Sequence, residues 1–118
     1  MGQERSHLKV RKSNGVSVVE FSERKILEEL SINEIRDELL ALVSANPGGL
    51  TLVSFRNVDY LSSGALGALI TLDKAVKEGG GKLRLAEISP EIYDVFKITR
   101  LNKLFQIYDT SEQAMASF

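Results

Sequence analysis

Two adjacent hydroxyls, Ser62 and Ser63, sit in the run Val58-Asp59-Tyr60-Leu61-Ser62-Ser63-Gly64-Ala65-Leu66-Gly67-Ala68-Leu69, where an apolar strand gives way to a small-residue helix. Hydroxyls at a helix N-terminus satisfy orphan backbone N–H groups, and the same position accepts an added phosphate well. In the ordinary case such a turn is simply a capped helix start. In the functional case it is a docking surface or a covalent switch. Asp59 is the one acid close to it, and Arg56, Asn57 and Tyr60 add polar side chains on the approach.

Other chemistries fail on spacing. A phosphate-cradling Gly-x-x-x-x-Gly-Lys loop ending at Gly81-Lys82 would need glycine at position 76, which is Val76, and no Ser or Thr follows the lysine. A dinucleotide fingerprint on Gly64 and Gly67 would need glycine where Ser62 stands, and no Gly-x-Ser-x-Gly elbow is present. The single histidine, His7, lies in a polar N-terminal arm, so no Ser–His pair forms. A phosphate-receiving α/β domain would need clustered carboxylates at strand ends, but the central strand ends in Val53-Ser54-Phe55. These absences point to a non-enzyme with no cofactor and no metal.

Strands and helices alternate in a way that positions the turn. Asn14-Gly15 between the β-prone runs Leu8–Lys12 and Val16–Phe21 predicts a hairpin. Ser22–Glu29 reads as a connector with Ile26 and Leu27 turned inward. Ser31-Ile32-Asn33-Glu34 is a capping-box pattern that predicts a helix start at Ser31, and Ile32, Ile35, Leu39, Leu42 and Val43 follow at helical spacing. Asn46-Pro47-Gly48-Gly49 stops that helix, and Leu50–Phe55 reads as a strand covered on both faces. Ala65, Leu69, Leu72 and Val76 form the stripe of a second helix, which Gly79-Gly80-Gly81 ends; Gly64 and Gly67 on it would serve close helix–sheet packing. Lys82–Ala86 predicts a strand, and Ser89-Pro90 opens a third helix with Ile92, Val95 and Phe96 inward. Leu104–Tyr108 predicts a last strand, and Thr110 caps a C-terminal helix.

Composition agrees with a globular chain. At 118 residues, 43% hydrophobic and 26% charged, it is long enough for one buried core. The formal charge of −1 and the lack of a basic run argue against nucleic acid. No cysteine, no apolar leader and no membrane-length apolar run predict a cytoplasmic protein with no disulfide and no membrane span. The expected architecture is a single α/β domain over residues 8–118 behind a flexible arm over 1–7. Its sheet is mixed and mostly parallel, with an N-terminal β-hairpin and about four helices packed on one side.

Three separated blocks, Val58–Ser63, Gly80–Leu85 and Val95–Tyr108, resemble the STAS family of bacterial anti-sigma-factor antagonists over essentially the whole chain from Leu8 onward. The resemblance implies the same α/β fold and a switch by partner exchange. An unphosphorylated antagonist binds an anti-sigma factor, often a serine kinase, and so frees a sigma factor; phosphate on the turn reverses this. Partner-binding residues carried over are Asp59, Ser62, Ser63, Gly64 and Gly67, in a monomer or weak homodimer. When Leu66-Gly67 is aligned on the family's Leu-Gly, Ser62 falls at the family's aspartate and Gly64 at its phosphoacceptor, and Ser54 replaces an acidic strand-end residue. A shifted reading puts Ser63-Gly64 on the acceptor–glycine pair but needs an extra residue before Leu66; it leaves Ser63 as the candidate phosphorylation site. Two other readings remain beside the antagonist: a scaffold subunit of a signalling assembly, and a sensor of a small anion or lipid.

Overall fold

The computed structural model describes residues 8–22, 25–26 and 29–118. The expected arm with His7, and the expected inward placement of Ile26 and Leu27, lie outside what is described.

β1 (Leu8–Ser13) and β2 (Val16–Phe21) form the antiparallel hairpin, with Leu8 opposite Phe21 and Ser13 opposite Val16. Asn14 (φ 51°) and Gly15 (φ 80°) both take the left-handed conformation, the pair of values a two-residue hairpin turn of type I′ requires. β4 (Leu50–Ser54), β6 (Lys82–Ala86) and β7 (Ile107–Tyr108) then add in parallel, giving the order β1-β2-β4-β6-β7. The two-residue strands β3 (Lys25–Ile26) and β5 (Tyr60–Leu61) pair separately, so part of the expected connector is a strand.

α1 (Glu29–Ala45), α2 (Ser63–Glu78) and α3 (Pro90–Ile98) surround the larger core on one face of the sheet. There Leu39, Val19, Val53, Leu69, Leu72 and Leu85 are excluded from solvent, and the rings of Phe21, Phe55, Phe96 and Phe105 run through the core with centroids 5.3, 6.5 and 5.9 Å apart. The fourth helix, α4 (Ser111–Ala116), departs from the one-sided expectation. Its Ala114 buries on the opposite face against Val16, Val18, Leu52 and Ala86. Strand alternation is the reason: Leu52 and Val53 point to opposite faces, both apolar, so both need a cover.

Three local expectations are corrected. α1 spans Glu29–Ala45, so Ser31 lies inside the first turn and not at the cap. Val95 is exposed because it lies roughly 60° from Ile92 and 100° from Phe96 around α3, on the border of their buried stripe. The last strand is only Ile107–Tyr108. Arg100, at φ 64°, turns the chain into a 3-10 segment, η1 (Leu101–Lys103), which directs Phe105 into the core before pairing begins.

Candidate functional site

The turn is built at the C-terminal end of β4. Phe55 N–H donates to Ala86 O at 2.9 Å and Val58 N–H to Phe55 O at 2.9 Å, which folds the chain back over the strand end. Buried Ser54 accepts a hydrogen bond from the Arg56 N–H at its Oγ, 3.4 Å away, so it steadies this bend. β5 follows, with Leu61 buried and Tyr60 exposed. Ser62, extended at φ −80° and ψ 167°, then caps α2, its Oγ accepting the Ala65 N–H at 3.3 Å. That is the geometry an N-cap serine requires.

Asp59, Ser63, Gly64 and Gly67 are all exposed and Ser62 is half-buried. Gly64 and Gly67 therefore do not serve packing against the sheet. A Cβ on Gly64 would meet the Ile32 Cδ1 methyl at 3.3 Å, while one on Gly67 would meet nothing within 4 Å. Both glycines open onto a groove of about 550 Å³ between α1 and α2. Ile32, Asn33 and Arg36 line one wall; Ser62, Gly64, Gly67, Ala68 and Thr71 line the other. The α2 wall is a strip of small side chains at helical spacing, which leaves backbone close to whatever enters. Ser63 is the first helical residue and does not line this groove, and Asp59 also stands outside it.

Two contributors escaped the sequence reading. The α1 wall is one: Ile32 is legible as core, but only packing of two helices shows that its Cδ1 also floors a groove. Glu87 is the other. At φ 62°, it accepts the Ser111 N–H at 2.8 Å and lies 3.9 Å from Arg56 Nη2, linking the start of α4 to the loop before the turn. These partners are distant in sequence, so no local signal could have revealed them. The arrangement offers hydroxyls, a helix N-terminus and an open groove. Among the described residues no three His, Cys, Asp or Glu side chains converge to hold a metal ion, and no helix is long and apolar enough to cross a membrane.

A sheet of this order, a capped turn after its central strand and a short C-terminal helix on the far face define a STAS-type α/β domain. The STAS domain family model matches residues 7–114, and the chain belongs to that family. It is 32% identical over 78 residues to the anti-sigma-B factor antagonist of Bacillus subtilis, covering 66% of this chain and 70% of that protein. The structure of an anti-sigma-factor antagonist (STAS) domain protein from Planctomyces limnophilus superposes with a TM-score of 0.85 at 21% identity, covering 97% of this chain and 98% of that one. An anti-sigma factor antagonist from Mycobacterium paratuberculosis superposes with a TM-score of 0.81 at 23% identity, covering 93% and 91%.

Proposed function

We propose that this chain is an anti-sigma-factor antagonist: a non-enzymatic, cytoplasmic binding module that sequesters an anti-sigma factor and so regulates transcription. Docking uses the Ser62-Ser63-Gly64 turn and the groove behind it, with Asp59 and Gly67 at its margins. The observation that carries the reading is the exposure of Gly64 and Gly67 on one open groove beside a capped helix start. Similarity to the Bacillus subtilis antagonist supports the partner class.

Binding is constitutive in this reading. This reading takes the alignment anchored on Leu66-Gly67, in which Gly64 falls at the family's phosphoacceptor and has no hydroxyl to modify. Ser63 presents its hydroxyl roughly 100° away around the helix axis, off the line a kinase built for the next residue would use.

The test is affinity capture on the purified chain from lysate of its source cells, with mass spectrometry of what binds, followed by titration of the captured anti-sigma factor. Gly67→Arg fills the groove where an added Cβ meets nothing within 4 Å, so it should weaken binding at least about a hundredfold with the melting curve unchanged; Gly64→Arg presses on the Ile32 Cδ1 methyl of the core, so it should weaken binding as much with some loss of melting temperature. Full affinity in both variants would place docking elsewhere.

A further inference from the structure

The end of α3 carries an unusual surface. Ile98 is 81% exposed, the most exposed large hydrophobic side chain among the described residues, and Val95 (36%) and Leu104 (37%) are also solvent-facing. Val95 and Ile98 are three apart on one helix and share a face. A scattered exposed apolar side chain is ordinary, but here three fall within ten residues about one chain reversal.

The reversal itself is held firmly. Thr99 Oγ1 donates to Val95 O at 2.8 Å, and the Arg100 N–H donates to Lys97 O at 3.1 Å. Arg100 sits at φ 64°, ψ 14°, a conformation that favours glycine. An arginine there carries a backbone cost that a glycine would not.

The turn itself, beyond Asp94, carries only basic charge. Residues 95–106 contain Lys97, Arg100 and Lys103 and no acid, in a chain whose net charge is −1. Lys97 is engaged by Asp94 at 3.3 Å and lies over the Tyr93 ring. Arg100 and Lys103, both exposed, have no ion pair among the described residues.

We propose that the α3–η1 turn is a second docking surface, on which Ile98, with Val95 and Leu104 beside it, anchors an acidic protein segment bearing a large apolar side chain. Arg100 and Lys103 orient that segment from the rim, where charges set encounter rate and register while the apolar anchor supplies the affinity. An anionic membrane would call for roughly four to eight clustered cations, more than stand here. None of these residues lines the α1–α2 groove, so the proposal stands apart from the function proposed above.

The test is a titration of the isotopically labelled chain with a synthetic acidic amphipathic peptide, Glu-rich with a Leu–Phe stripe, followed by nuclear magnetic resonance. Amide shifts should centre on residues 95–104 and shrink as salt rises from about 50 to about 500 mM. Ile98→Asp should weaken binding at least about tenfold. Arg100→Gly removes the charge and relieves the backbone, so it should weaken binding while keeping the melting temperature or raising it.

Absence of binding, or shifts centred on Ser62–Gly67, would overturn the proposal. So would equal affinity in Ile98→Asp, or tighter binding to phosphatidylglycerol vesicles than to the peptide. Concentration-dependent self-association abolished by Ile98→Asp would instead assign the patch to a second copy of the chain, and the proposal would fall.

Discussion

The Ser62 Oγ accepts the Ala65 backbone N–H at 3.3 Å, so one of the two adjacent hydroxyls is committed to the helix while Ser63, one residue on, faces solvent. The two serines therefore have separable roles, and substitutions at each should read out on different scales.

Ser62→Ala leaves the α2 N-terminus without its cap and should cost about 1 kcal/mol in unfolding free energy. Ser62→Asp caps equally well and places a negative charge at the positive end of the helix, so it should match or exceed the parent. Urea denaturation of the three proteins checks the order; equal stability of all three would mean the cap contributes nothing.

Incubation with the kinase that binds the chain, if that partner is one, and ATP should leave Ser63 substantially unmodified. Peptide mapping by mass spectrometry decides the matter. Stoichiometric phosphate on Ser63 would favour the shifted alignment and restore the switch.

Leu69, buried on α2 within the main core, should cost about 2–5 kcal/mol when truncated to Ala. A loss below about 0.5 kcal/mol, within the range of surface substitutions, would contradict the burial described here.

Arg84 holds the C-terminal segment to the second face of the sheet: its Nε donates to Ser117 Oγ at 2.9 Å and its guanidinium lies 5.0 Å from the Phe118 ring centroid. Arg84→Ala should cost about 1–2 kcal/mol, combining a half-buried hydrogen bond with a cation–π contact. Faster protease cleavage near residue 111 should accompany the loss, because the segment's latch is gone while the main core is intact.

Much of the fold was legible because the interactions that define it are local. Ser62, Ser89 and Thr110 each accept the N–H three residues on, as their types and positions indicated. Asn14-Gly15 makes its turn from its own backbone preferences, and the apolar alternation of Lys82–Ala86 sets that strand to the residue. The stripe Ala65, Leu69, Leu72 and Val76 buries as its spacing required. These features depend on neighbours within a few positions, which the order of residues states directly.

What only tertiary structure decided depends on partners far apart in the chain. The β3–β5 pair, two residues on each side, joins Lys25-Ile26 to Tyr60-Leu61, far away in the chain. Leu104–Tyr108 carried a strand pattern along its length, yet the left-handed Arg100 and the burial of Phe105 left only Ile107 and Tyr108 to pair. α4 crossed to the opposite face because Val16, Val18 and Leu52 formed a second apolar surface, and hydropathy records that a residue is apolar without recording which face must be covered. The groove follows the same logic. Gly64 and Gly67 were visible as small residues, but an open space between two helices belongs to neither helix, and it arises only when Ile32 and Arg36 are packed opposite them.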